Sequence, residues 1–222
     1  MKRKAWIAVT ALAAVMGLLL FPVAGTVRYW QGWLYLAVFF SLTAPITGYL
    51  LKHDPALLER RMSGGPAAEK EPAQKVIMFV ASLGFAGILV VSSLDFRFKW
   101  SDVSPYTVIV GDLLTVLGFY ITFLVYKENS FASATIEIMP GQRVISTGPY
   151  AIVRHPMYTG GMFYLFGMPL ALGSWWGFVP LAAMLPALFW RISNEERFLA
   201  AHLPGYAEYL AKVRWRMIPK VY

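Results

Sequence analysis

The sequence predicts an all-α, polytopic membrane protein with about six transmembrane helices, a C-terminal helical hairpin and a cytoplasmic amphipathic tail helix. Three observations predict this fold class. First, 58% of the 222 residues are hydrophobic and only 14% are charged, too few polar groups to coat a soluble globule of this size. Second, apolar stretches of about 20 residues, the length that spans a bilayer as a helix, recur along the chain. Third, basic residues cluster at the ends of these stretches.

Six apolar segments are candidate spans. They run roughly from Ala5 to Ala24, Trp30 to Leu51, Val76 to Leu94, Pro105 to Tyr126, Pro156 to Leu172 and Trp175 to Ile192. The alternative for the first, which follows Lys2, Arg3 and Lys4, is a cleavable signal peptide; its long apolar run and the span directly after it favour a membrane helix. Only a few residues around Gly173 and Ser174 join the last two segments, which predicts an antiparallel hairpin.

The basic residues predict the orientation. With the N-terminus in the cytoplasm, all of the 20 lysines and arginines except Arg28, Arg97 and Lys99 lie on the cytoplasmic side. Cytoplasmic loops of membrane proteins carry such an excess. We therefore expect both termini and the polar clusters on the cytoplasmic face of an inner or plasma membrane. The net charge of +8 is then a topology signal, and no nucleic-acid partner is expected.

The polar segments suggest two units. Residues 1–126 form an N-terminal bundle of four spans, whose cytoplasmic loop 52–75 begins with a short amphipathic interfacial helix and continues as a mobile Gly/Pro/Ala stretch. Residues 127–222 form a C-terminal unit with a polar loop, the hairpin 156–192 and a tail. We expect the tail to be helical up to about Val213, with an interruption at Pro204 and Gly205.

Several chemistries are not supported by the sequence. Without cysteine there is no disulfide, thiolate nucleophile or cysteine metal site. The three histidines lack zinc-type spacing, so no metal is expected. No Walker motif or GxGxxG turn is present. Asp112, inside the fourth span, lies toward the external end; we expect a structural partner or a hydrated position for it rather than a catalytic role.

The chain carries its densest polar cluster where the fifth span begins. Pro156, directly after Arg154 and His155, fits the first turn of a helix, because the amide hydrogen it lacks is not needed there. A helix N-terminus favours anionic groups such as the carboxylate of an amino-acid-like ligand. Tyr158 follows in the same turn, and the next residues include two adjacent glycines that allow close approach.

A second cluster, Glu195 and Glu196, follows the last span on the same side of the membrane. Adjacent helical residues point about 100° apart, so only one is expected to face inward fully. We interpret both clusters as one site. Substitution of His155 or Glu196 by alanine is then expected to weaken ligand binding more than thermal stability.

Each member of the site also has an ordinary interpretation. These are headgroup contact for Arg154, interfacial hydrogen bonding for His155, an aromatic belt for Tyr150 and Tyr158, and a surface helix pair between Arg191 and Glu195. Four such groups within nine residues at one depth, with two glutamates at the same depth, favour the site.

The order of motifs resembles the isoprenylcysteine carboxyl methyltransferase family and its phospholipid methyltransferase relatives. The matching positions are Asn129 with Phe131, the run from Gly148 to Gly160, the pair Glu195 and Glu196, the stretch from Gly205 to Tyr209, and the basic run from Lys212 to Pro219. The resemblance implies an integral membrane methyltransferase that uses S-adenosylmethionine and releases S-adenosylhomocysteine, with a lipidated or small apolar acceptor.

The resemblance also implies residue roles. The implied cofactor-binding residues are Gly148, Tyr150, Val153, His155, Tyr158, Gly161, Glu195, Glu196, Tyr206 and Tyr209. The implied catalytic residues are Arg154, His155 and Glu196, and the implied substrate-binding residues are Asn129, Phe131, Arg154 and Arg214. An amine acceptor would need proton removal, for which His155 or a glutamate is the nearby candidate.

Several alternatives remain open at this stage. Relatives methylate carboxylates, phospholipid amines or small thiols, and the sequence does not choose among them. It is also ambiguous which basic residue of the tail acts at the site. The superfamily is similar to membrane sterol reductases, but the Gly-Pro-Tyr motif with the glutamate pair leans away from a reductase. A different class, a transporter or lipid-binding protein without catalysis, would need polar residues along a transmembrane path. No obligate protein partner is evident.

Overall fold

The computed structural model describes residues 1–222 and contains helices but no strands. The α-helices are α1 (Lys2–Ala24), α2 (Trp30–His53), α3 (Pro55–Met62), α4 (Pro72–Phe98), α5 (Pro105–Glu128), α6 (Pro156–Ala171), α7 (Phe178–His202) and α8 (Tyr206–Lys212). Short 3₁₀ turns lie at Pro66–Ala68 and Gly148–Ala151. The predicted class, a polytopic helical membrane protein, is confirmed. We call the end of the bundle at which α1 begins and α2 ends the basic end.

Four helices, α1, α2, α4 and α5, are long and apolar enough to cross a membrane. The fifth and sixth predicted spans become α6 and the first part of α7. Helix α6 has 16 residues, which corresponds to about 24 Å and is shorter than the hydrocarbon core of a bilayer. Helix α7 has 25 residues but becomes polar after Ile192. A short turn joins α6 to α7, but α6 packs mainly against α5 and α7 mainly against α4. The tight packing of these two helices on each other stays a prediction.

Proline and capping side chains determine where several helices begin. Helix α3, the predicted interfacial helix, starts at Pro55, and the Asp54 side chain accepts a hydrogen bond of 2.9 Å from the amide of Leu57. Helix α5 starts at Pro105, and Ser104 caps it in the same way. Because proline lacks an amide hydrogen and has a helical φ, it suits the first position of a helix.

Helices α5 and α6 pack backbone against backbone, antiparallel. A Cβ atom added to Gly118 would lie 2.5 Å from the carbonyl oxygen of Gly160, and one added to Gly160 would lie 2.7 Å from that of Gly118. Two turns away, a Cβ atom on Gly167 would lie 2.5 Å from the carbonyl oxygen of Gly111. Small residues allow this close approach. This packing holds the start of α6 against the end of α5. The contact crosses the boundary between the two predicted units at residue 126, and that division into units stays a prediction.

Hydrogen bonds at the opposite end hold the hairpin turn. Asp95 of α4 accepts from the hydroxyls of Ser101, at 2.6 Å, and of Ser174 in the turn, at 2.5 Å. The Tyr29 hydroxyl donates to the carbonyl of Leu172 at 2.6 Å. Asp112 of α5 is buried, and neither of its carboxylate oxygens has a hydrogen-bond partner. Of the two alternatives expected for Asp112, a hydrogen-bonded structural partner is not found, and a hydrated position stays a prediction.

The C-terminal tail (residues 203–222) folds back onto the start of α6. Gly205, with a φ of 81°, precedes α8 and produces the predicted interruption. After α8 the chain is extended, and its carbonyls accept hydrogen bonds from the segment before α6. The backbone amide of Arg154 donates to the Trp215 carbonyl at 2.9 Å, and that of His155 donates to the Arg216 carbonyl at 2.8 Å. The tail thus holds the backbone of both residues directly before α6.

Candidate functional site

A cavity of about 360 Å³ lies at the basic end, between α4, α6, α7, α8 and the loop after α5. Its polar part includes Arg154, His155, Tyr158, Arg191 and Glu195. The remaining wall is largely apolar and comprises Met78, Ala81 and Phe85 of α4, Met162, Tyr164 and Leu165 of α6, and Met184 and Leu188 of α7. The volume falls within the range of small-molecule sites. A ligand that fits has a polar end and an apolar end.

Glu196 is the centre of a buried ion cluster beside this cavity, not on its wall. Its Oε1 lies 2.6 Å from Nε of Arg154 and 3.2 Å from Nε2 of His155. Its Oε2 accepts from Nε of Arg216 at 2.9 Å. Only 8% of the Glu196 side chain is exposed. The cluster therefore links α7 to both the start of α6 and the tail.

The environment of Glu196 keeps it ionised. The residue lies beyond Ile192, outside the apolar part of α7. Burial alone would raise the pKa of this carboxyl, but hydrogen bonds from His155 and Arg154 outweigh burial and lower the pKa to about 2. A carboxylate with so low a pKa is a poor proton acceptor near neutral pH.

The Arg154 side chain joins this cluster to the tail. Its Nη1 donates to the carbonyls of Val213, at 2.9 Å, and Arg214, at 2.8 Å. Together with the bond from its Nε to Glu196, these contacts fix the guanidinium in one orientation on the cavity wall. Arginine suits this position because its donors point in several fixed directions.

Glu195 faces the cavity, on the neighbouring side of α7. Its Oε2 accepts a hydrogen bond of 2.7 Å from the Tyr158 hydroxyl. The 100° between adjacent helical residues separates the two glutamates: one lines the cavity and the other enters the ion cluster. Glu195 and Glu137 are the two carboxylates that line this cavity, and Glu195 is the one that contacts Tyr158.

Arg191 is a buried member of the site that motif reasoning did not assign. Its guanidinium donates to the Tyr158 hydroxyl at 3.1 Å, the Gln74 side chain at 2.8 Å and the Ala134 carbonyl at 2.8 Å. It also forms an ion pair of 2.7 Å with Glu69. The surface pair with Glu195 considered from the sequence is therefore not formed. An arginine inside an apolar run was the signal for such a role.

Asn129 and the tyrosines form the wall on the side of the loops. Asn129 donates to the Tyr150 hydroxyl at 2.8 Å, and its Oδ1 accepts from the amide of Phe131 at 2.9 Å. The Tyr209 hydroxyl of α8 donates to the Tyr150 carbonyl at 2.8 Å. Burial raises the pKa of Tyr209 to about 12 and that of Tyr150 further. Both phenols stay protonated at neutral pH. The Tyr209 proton is used on the Tyr150 carbonyl, whereas the Tyr150 hydroxyl, which accepts from Asn129, keeps its proton for a further contact.

The structure brings most of the predicted site residues to one cavity. The residues on its wall are Asn129, Phe131, Tyr150, Arg154, His155, Tyr158, Gly161, Glu195, Tyr206 and Tyr209. Gly148, Val153, Glu196 and Arg214 do not line it. Gly148 has a φ of 56° and packs on the Glu128 side chain, and Val153 is buried.

The tail resolves which basic residue reaches the cluster. Arg214 was expected to bind substrate, but its side chain is exposed and lies over the Trp215 ring at 5.1 Å. Arg216 contacts Glu196 instead, and its Nη1 donates to the Tyr222 hydroxyl at 2.7 Å. The chain bends from residue 216 onward, so the two-residue alternation of an extended segment does not decide which arginine faces the cluster. Only the fold distinguishes them.

We expect acid to destabilise the protein through Glu196. Its pKa in the folded state, about 2, lies below the ordinary value of 4.5. The stabilisation it provides is therefore complete above pH 4.5 and is lost as the pH falls toward 2. The melting temperature in detergent, measured as a function of pH, should decrease over this pH range. Glu196→Gln should make the melting temperature less dependent on pH over the same range. Glu208→Gln, at an exposed site on α8, should leave the slope unchanged; equal slopes for all three proteins would contradict the assignment.

Comparison with known proteins agrees with the motifs. Residues 106–204, from the first turn of α5 to just past α7, match the phospholipid methyltransferase family. This family belongs to the same superfamily of membrane methyltransferases as the isoprenylcysteine carboxyl methyltransferases. The resemblance predicted from the sequence is confirmed at the level of this superfamily.

One curated protein shows a weaker similarity. The cobalt-zinc-cadmium resistance protein CzcN of Cupriavidus metallidurans is 30% identical over 105 residues, which cover 45% of this chain and 47% of that protein. The chain thus matches about half the length of this relative. No three His, Asp or Glu side chains of the present structure come together in an arrangement that could hold a metal ion.

Proposed function

We propose that the protein is an S-adenosylmethionine-dependent membrane methyltransferase that acts on a lipidic or small apolar acceptor. One observation carries the proposal: within the family-matched segment, the cavity joins a polar end at Arg154, Tyr158 and Glu195 to an apolar wall. It extends along α6 as far as Leu165, about 14 Å from the start of the helix. Such a shape suits a charged cofactor next to an apolar acceptor.

The residues present fit this cofactor. Its sulfonium and ammonium groups favour a carboxylate and aromatic faces, which Glu195, Tyr158 and Tyr206 provide. Its carboxylate favours a helix N-terminus. The first intrahelical bond of α6 is made by the amide of Thr159, to the His155 carbonyl at 3.1 Å, so the amides of the two preceding residues on the cavity wall remain available. When bound, the cofactor would supply an electrophilic methyl group for in-line displacement.

The chain's own contribution is positioning and exclusion of water. Holding two reactants in line lowers the barrier without a covalent intermediate. A carboxylate or thiolate acceptor needs no base. For an amine acceptor, the low pKa of Glu196 and its three partners make it an unsuitable proton acceptor. Of the two carboxylates on the wall, Glu137 is held by Lys70, Ser133 and Thr135, so we propose Glu195 as the proton acceptor.

The apolar wall of the cavity suggests the chemical class of the acceptor. We propose an acceptor of the isoprenylcysteine carboxylate type, whose apolar part contacts Met78, Phe85 and Met184. A phospholipid amine and a small thiol are the alternatives within the superfamily. The α4 residues lie outside the family-matched segment, and we propose that this part of the wall contributes to the choice of acceptor. We propose that the site and both termini lie on the cytoplasmic side of an inner or plasma membrane, as the distribution of basic residues predicts.

Calorimetry on the detergent-purified protein tests the cofactor. S-adenosylmethionine is expected to bind, and Glu195→Ala is expected to weaken binding about tenfold or more, as for a lost charge-assisted contact. The control Glu208→Ala should bind like the parent protein. Well-folded protein that does not bind the compound would contradict the proposal. So would a Glu195→Ala variant that binds as tightly as the control.

Methyl transfer distinguishes the enzyme from a transporter or lipid-binding protein. Protein incubated with a lipid extract and methyl-labelled S-adenosylmethionine should label an extractable product, whose identity gives the acceptor. Glu195→Ala should lower this labelling at subsaturating cofactor. Cofactor binding without any labelled lipid or thiol product would favour the non-catalytic class.

A further inference from the structure

The loop between α3 and α4 lies against the site. Residues 63–71, which we call the covering loop, contact the segment 133–137 of the cavity wall. A Cβ atom added to Gly64 would lie 2.6 Å from that of Ala134. Lys70 pairs with Glu137 at 3.7 Å. Just before the loop, Arg61 of α3 donates to the Ser133 carbonyl at 2.9 Å.

Glu69 anchors the covering loop through a buried charge. Its side chain is 2% exposed and its carboxylate pairs with Arg191, which is itself 7% exposed. A buried carboxylate that loses its cation is strongly disfavoured. Glu69 and the Arg191 guanidinium are therefore expected to move together.

Arg191 connects the covering loop to the cavity through direct contacts. Its Nη2 pairs with Glu69 at 2.7 Å, and its Nε donates to the Tyr158 hydroxyl at 3.1 Å. That hydroxyl donates to Glu195 Oε2 at 2.7 Å. A tyrosine hydroxyl has one proton. Because Arg191 occupies its acceptor side, the proton is directed to Glu195.

We propose that Arg191 is a positioning residue that orients the Glu195 carboxylate through the Tyr158 hydroxyl, and that Glu69 of the covering loop holds Arg191 in place. The position of the loop and the geometry of the site are thereby coupled. The identity of the ligand at Glu195 rests on the proposed function, whereas the contacts that couple the loop to Tyr158 do not depend on it.

Cofactor affinity tests the direction from loop to site. Glu69→Gln is expected to weaken S-adenosylmethionine binding about tenfold, within the usual range for coupled sites. Glu71→Gln, two residues away and exposed, is the control and should have no effect. Arg191→Lys should not restore parental affinity, because lysine cannot direct donors along several fixed lines.

A double-substitution cycle distinguishes positioning from general destabilisation. If Glu69 acts through Glu195, Glu69→Gln should cause no further loss of affinity once Glu195→Ala is present. If the double variant instead loses affinity by the product of the two single-variant factors, the two residues act independently, and the proposal is overturned. Melting temperatures of all variants, measured in parallel, show whether affinity falls in protein that remains folded.

The loop itself provides a measurement that needs no cofactor. The chain has no cysteine, so a spin label on Ala68→Cys, at an exposed position, reports loop mobility alone. Tyr158→Phe should make this label more mobile, although the hydrogen bonds of the Tyr158 hydroxyl go to Arg191 and Glu195 and not to the loop. Tyr206→Phe, on the same cavity but without a bond to Arg191, should not. Equal label mobility in Tyr158→Phe and Tyr206→Phe would refute the coupling, even if the cofactor binds. A label that becomes more mobile in Tyr158→Phe, in a protein that does not bind the cofactor, would refute only the proposed function.

Discussion

Glu196→Ala is expected to lower the free energy of unfolding by about 3–5 kcal/mol, the usual cost of removing one partner of a buried ion pair. Arg154, whose side chain is 11% exposed, would lose its carboxylate at 2.6 Å, and His155 and Arg216 would lose theirs. These three groups also hold the tail against α6, so the tail should loosen. Chemical or thermal unfolding in detergent gives the value.

The control is Glu208→Ala, at an exposed position on α8 that has no ion pair. It should change the free energy of unfolding by less than about 0.5 kcal/mol. A large loss of stability in Glu196→Ala would revise the expectation from the sequence. That expectation was that Glu196→Ala weakens ligand binding more than it lowers stability. The structure assigns that behaviour to Glu195. A Glu196→Ala protein as stable as the control would contradict the ion cluster.

Gly160→Ala is expected to cost about 3 kcal/mol, at the upper end for added volume in a packed core. The new Cβ atom would lie 2.7 Å from both the Gly118 carbonyl oxygen and the Thr122 hydroxyl. Backbone cannot move aside as a flexible side chain does, so α5 and α6 must separate. The start of α6 would shift with them, and cofactor binding should weaken together with stability.

The neighbouring glycine is a matched control. A Cβ atom on Gly161 would have its nearest neighbour, the Tyr164 ring, at 3.9 Å, an ordinary contact. Gly161→Ala should therefore leave stability unchanged or raise it by up to about 1 kcal/mol, because alanine favours helix over glycine. Melting temperatures of the two variants in the same detergent make the comparison. If both substitutions cost the same, the close packing of α5 on α6 would be wrong.

The sequence predicted the helices well because the signals for them are local. Apolar length predicted the four long helices, and Pro105 and Pro156 marked the first residues of α5 and α6. Gly205 marked the break before α8. Hydrophobicity, proline and glycine act within a few residues of where they stand, so a single sequence is sufficient to read them.

The order of motifs also placed the two polar clusters at one end of the bundle. A short hairpin between α6 and α7 must return the chain to the same end, so this conclusion needed only connectivity. The resemblance to the membrane methyltransferase superfamily came from the same ordered residues, and the match of residues 106–204 to the phospholipid methyltransferase family agrees with it.

The partners within the site were decided by the tertiary structure. No spacing rule connects Arg191 to Glu69, Gln74 and Ala134. These residues belong to the covering loop, the first turn of α4 and the loop after α5, which only the packed bundle brings together. The rotation of α7 about its axis decides that Glu195 faces the cavity while Glu196 meets the arginines. That rotation depends on how α7 packs against α4, a long-range contact that local sequence does not specify. The sequence by itself therefore determined which helices exist and where their ends meet, and the packing determined which side chains meet there.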